Sequence, residues 1–90
     1  MEPDYFMWVA AELRELASRL RGRLSDSAER LVEEYVSVNE LGLALESLVD
    51  ALAEAEQPVS ADERATMLAL ANPMGLQDEV TRALAFCPLP

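Results

Sequence analysis

Apolar residues recur every three or four positions along most of this chain, the period of a helix buried on one side. Phe6, Val9, Leu13, Leu16, Ala17 and Leu20 predict a first helix from about Asp4 to Arg21, stopped by Gly22. A second helix starts near Ser25 or Asp26, where Asp26 and Glu29 have the spacing of a capping box, and it buries Leu31, Val32, Tyr35 and Val36. Asn39 then offers a turn or a cap. Leu41, Ala44, Leu45, Leu48, Val49 and Leu52 form the clearest stripe, on a third helix from about Glu40 to Glu56 that Pro58 ends. Ser60 and Glu63 have capping-box spacing ahead of a fourth helix, the apolar run Ala65 to Ala71. A residue before proline avoids the helical region, so Asn72-Pro73 either kinks this helix or caps a new turn. A last short helix over 77–86 turns Val80, Ala83, Leu84 and Phe86 inward before Pro88. No alternating strand pattern, internal repeat or low-complexity linker intervenes. The expected fold is all-α: residues 1–90 as one domain, a compact bundle of four to five helices with short connections.

Charge adds what periodicity does not. From Ser25 to Glu63 the chain holds eleven acids and one base, Arg30, while the flanks are balanced, so the middle carries the whole net charge of −10. Such a field attracts a positively charged partner and repels nucleic acid and anionic membrane. Within it, Glu46, Asp50 and Glu54 stand four apart on one face of the third helix, and Glu29 and Glu33 repeat the spacing on the second. Like charges at that spacing destabilise a helix by a few tenths of a kcal/mol per pair. Two readings follow, an acidic docking surface for a basic partner and an ordinary solvated face. Glu33, Glu34, Glu46, Asp50 and Glu54 are the candidate contacts, with Tyr35 as an anchor or a core ring whose hydroxyl stays wet.

Two further clusters have alternatives of their own. Tyr5-Phe6-Met7-Trp8-Val9 is more apolar surface than one helix face can bury, so Tyr5 or Trp8 lies near the surface or meets another chain, as in a homodimer, unless the run packs across two neighbouring helices. Arg14, Arg19, Arg21 and Arg23 could suit phosphate, but Glu12 and Glu15 balance them, and pairing with the acidic middle is the better expectation.

Catalysis finds little support. With no His and one cysteine, Cys87, the chain has no internal disulfide, zinc set or His-based acid–base pair. No glycine loop cradles phosphate and no base activates a serine. The expectation is a binding protein without cofactor. The acidic start Met1-Glu2-Pro3-Asp4 lacks the basic region of a signal peptide, and no apolar run approaches the ~20 residues of a membrane span, so a cytoplasmic location is expected.

From Asn39 to Leu76 the chain carries Gly42-Leu43-Ala44-Leu45-Glu46, Leu48-Val49-Asp50, Pro58-Val59-Ser60, Glu63 and Met74-Gly75-Leu76. In that order and spacing these pieces resemble the MafI-type immunity proteins. The chain departs at Leu41, where an aromatic is expected, and at Val49, where a cysteine is common. These proteins are small cytoplasmic antidotes encoded beside secreted bacterial polymorphic toxins. The resemblance implies that this chain binds and neutralises a cognate toxin, with a basic nuclease domain as the expected target. A helical adaptor or regulator subunit, able to dimerise through Tyr5, Met7 and Trp8, is the alternative.

Overall fold

Good helix formers and complementary ends decide the local structure. In the computed structural model, which describes residues 3–90, the helices are α1 (Pro3–Arg19), α2 (Asp26–Ser37), α3 (Leu41–Glu54), α4 (Ala61–Ala71) and α5 (Gln77–Leu84), with a 3-10 turn at Asn72–Met74. The described residues form an all-α bundle with no strand. Its radius of gyration, 11.9 Å, matches the ~12 Å of a compact chain of this length. No described helix is long and apolar enough to cross a membrane.

The caps explain most boundaries. Ser25, not Asp26, caps α2: its hydroxyl accepts from the Ala28 N–H at 3.1 Å. Ser60 and Glu63 form a reciprocal capping box, so α4 starts at Ala61, four residues before its apolar run. Two helices end in Schellman turns. After α2, Asn39 is left-handed (φ 61°) and the Glu40 N–H donates to the Tyr35 carbonyl at 2.8 Å. After α3, Glu56 takes the same role (φ 48°), with the Gln57 N–H donating to the Leu52 carbonyl at 3.0 Å. Asn72 stays in the helical region and makes no side-chain cap, so α4 runs straight into the 3-10 turn and Gly75 (φ 72°) reverses the chain.

α3 is the central element. Leu41, Ala44, Leu45, Leu48, Val49 and Leu52 are all buried, and the helix packs on α2, α5, α1 and α4. Val9, Leu13, Leu16 and Leu20 of α1 with Met67, Leu70, Val80 and Leu84 complete one core. Two expectations need correction. Leu31 is exposed, because α2 buries only the narrow stripe Val32 and Val36. Phe86 is 66% exposed, because α5 ends at Leu84 and the helical period does not reach it. At Gly42 an added Cβ would sit 3.5 Å from Leu76 Cδ1, an ordinary contact.

Two arginines tie the periphery down. Arg23 forks onto Glu63, donating from Nη2 to Oε2 at 2.7 Å and from Nη1 to Oε1 at 2.9 Å, and also donates to the Pro58 and Arg19 carbonyls. Arg64 donates to the carbonyls of Val59, Leu84 and Cys87, satisfying the end of α5. The Val59 N–H donates to the Pro88 carbonyl at 2.9 Å, fastening the C-terminal segment to the α3–α4 loop.

Candidate acidic groove

Positions 46, 50 and 54 share a face because four residues are just over one helical turn. Burial of Leu45, Leu48 and Leu52 on the opposite side turns that face outward: Glu46 is half-buried, and Asp50 and Glu54 are exposed. The row forms one wall of an open groove of about 820 Å³ between α3 and α5. Half-buried Ala53 contributes apolar surface above the buried Val49 and Ala83, and Glu79, Arg82 and the exposed ring of Phe86 line the α5 side. Four acids against one base leave the lining at −3.

The other candidates lie elsewhere. Glu33 lines a separate groove of about 360 Å³ between α1 and α2. Its carboxylate is already engaged by Arg14, which donates from Nη2 at 2.9 Å and from Nε at 3.1 and 3.3 Å. Those hydrogen bonds hold the Glu33 carboxyl below its usual range and raise the Arg14 guanidinium. Glu34 is exposed on α2, and Tyr35 is half-buried against the core. Tyr35 stands between Leu31 and Val38, both exposed and on its own helical face, so α2 carries a second, mostly apolar strip. The structure therefore sets Glu46, Asp50 and Glu54 along one groove, whose lining does not include Glu33, Glu34 or Tyr35. On α1, Met7 and Trp8 are 70% and 52% exposed, while Tyr5 is half-buried.

Sequence reasoning missed the α5 wall. Glu79, Arg82 and Phe86 follow a three- and four-residue spacing, but only tertiary packing sets them opposite α3.

Pairing separates two kinds of acid. Among the described residues the ion pairs within 4.0 Å are Arg14–Glu33 and Arg23–Glu63. Glu63 is buried, and the Arg23 fork, aided by the Ser60 N–H, draws its carboxyl down to about 2. The remaining nine acids between Ser25 and Glu63 have no such cation, and neither has Glu79. The Arg cluster thus meets the acidic middle only at Glu33 and Glu63. No cluster of three or more possible metal ligands occurs among the described residues.

Comparison of the chain with protein-family models, curated proteins and solved structures returned no match.

Proposed function

We propose that this chain is a protein-binding antidote, an immunity protein that captures a basic toxin domain through the acidic face of α3. The observation that carries the reading is the row Glu46, Asp50 and Glu54, joined by Glu79 across the groove, without a paired cation in the described fold. Acids that serve the fold are paired here, as Glu33 and Glu63 are. A basic active site or its rim would complement the unpaired ones, and the resemblance from Asn39 to Leu76 supplies the toxin class. Glu34 and Tyr35 would extend the contact onto α2, whereas Glu33 would first have to leave Arg14.

Electrostatic steering gives fast association that weakens as salt rises. The test is co-expression of the neighbouring toxin-like reading frame with and without this chain. The expected result is survival only with the chain, lost in E46R/D50R/E54R. Survival that withstands the triple reversal removes the acidic face from the contact, and absence of rescue removes the antidote.

A second reading is favoured by exposed Met7 and Trp8 on α1, which suit a homodimer or an adaptor contact. Light scattering separates the two: a dimer that shields Trp8 supports the adaptor, and a monomer supports the free antidote.

A further inference from the structure

The α3/α5 groove combines a one-sided row of carboxylates with apolar surface and a ring left in solvent. Resting on the reading above, we propose that its occupant is a basic amphipathic helix of the partner. The cations of that helix recur every fourth residue against Glu46, Asp50 and Glu54, and one of its apolar side chains covers Phe86.

Charge selects the class of occupant. A second copy of this chain brings another −10, and nucleic acid or an anionic lipid surface brings more of the same sign. A basic polypeptide is the complementary one. Spacing selects its conformation. Four residues along α3 advance roughly 6 Å, and cations four apart on a partner helix advance by the same amount, so three pairs stay in register. An extended strand presents one face every ~6.6–6.8 Å and drifts by more than 1 Å over the same three. The apolar lining agrees: Ala53 over buried Val49 on one wall and exposed Phe86 beside buried Ala83 on the other leave small side chains at the groove floor, and the two alanines let a third helix approach. Arg82 is the one base on the lining, so a partner cation that approached it would meet like charge, whereas a carboxylate or carbonyl would be accepted.

The test titrates the intact chain with an alanine-based helical peptide carrying arginines every fourth residue and leucines on the adjoining face, read by fluorescence anisotropy. A peptide of the same composition with its arginines spread around the helix is the control. Binding at least tenfold tighter for the ordered peptide is expected. E46Q/D50Q/E54Q should weaken it about tenfold and F86A severalfold. E40Q/E56Q/D62N removes the same charge from exposed acids outside the groove and should change it less than about threefold. F86A cannot act by unfolding the core, since the ring is 66% exposed, and circular dichroism checks each variant. Equal binding of the two peptides, or equal losses in the two triple variants, overturns the proposal. This titration needs no toxin. Rescue that E46R/D50R/E54R abolishes, with peptides bound indiscriminately, would refute the helical occupant and keep the antidote. Ordered-peptide binding without rescue would do the reverse.

Discussion

Replacing Glu63 by Gln tests the joint that holds the α1–α2 loop to α4. The Glu63 carboxylate accepts from both Arg23 terminal nitrogens, at 2.7 and 2.9 Å, and from the Ser60 N–H at 2.9 Å. Its side chain is only 8% exposed, so water does little to screen the pair. These contacts draw the carboxyl from 4.5 to about 2. At ~1.36 kcal/mol per unit, the charged form gains about 3 kcal/mol over the neutral one on folding. Glutamine keeps the shape, loses the charge and points an N–H₂ at donors. E63Q should therefore lower the unfolding free energy by about 3 kcal/mol at pH 7, a large share of the 5–15 kcal/mol typical of a domain. The pH dependence carries a sign. A carboxyl whose pKa is depressed by folding contributes fully above its unfolded value, and the contribution is lost as pH falls from about 4.5 towards 2. Wild type should lose its advantage over E63Q across that window. Urea unfolding followed by circular dichroism, at pH 7 and in steps down to about pH 2.5, measures both. A deficit under about 0.5 kcal/mol at pH 7, or one that stays constant down to pH 3, would refute the reasoning.

Three other substitutions have definite signs. Glu56 holds a left-handed turn that favours Gly, so E56G should stabilise by about 0.5–1 kcal/mol in urea unfolding. A methyl at Gly42 would sit in ordinary contact with Leu76 within a helix, so G42A should raise the thermal midpoint, by up to about 1 kcal/mol in stability; destabilisation would show that the site is tighter than 3.5 Å suggests. R64M removes the donors to Val59, Leu84 and Cys87, and should cost about 2 kcal/mol while speeding hydrogen exchange in α5.

Much of this fold is visible in local chemistry. The stripes of α1 and α3, the Ser60–Glu63 box and the reversals at Asn39 and Gly75 follow from residue types whose intrinsic preference agrees with the tertiary structure. The failures occur where it does not. Glu56 is a poor left-handed residue, so nothing local marks the end of α3, and the helix stops two residues earlier than its composition suggests. Ser25 and Asp26 are both good caps, and only the hydrogen bond to Ala28 decides between them. Phe86 reads as core by hydrophobicity, yet two residues past α5 it points to solvent. For the groove, the α3 row is legible because it is periodic within one helix. Its α5 wall depends on a packing partner more than twenty residues away, which no local pattern encodes.

The uncompensated charge has a consequence that separates the chain alone from the chain in complex. Glu29–Glu33, Glu46–Asp50 and Asp50–Glu54 are like-charged pairs four apart, together costing on the order of 1 kcal/mol at low salt. The cost falls as ions screen it, with a Debye length of ~10 Å at 0.1 M. Arg23–Glu63 is too buried to lose much over the same range, and exposed Arg14–Glu33 is worth only about 0.2–1 kcal/mol to begin with. Salt should therefore stabilise the free protein. A cationic partner neutralises the same carboxylates directly, and the stabilisation it confers shrinks as salt displaces it. Thermal unfolding from about 20 mM to 0.5 M NaCl should show the midpoint rising for the chain alone, while the added shift from the basic helical peptide falls. A free chain whose midpoint is flat or declines over that range would mean that the acidic face carries no repulsion to relieve. Unpaired carboxylates on α3 would then give no physical reason for a basic partner.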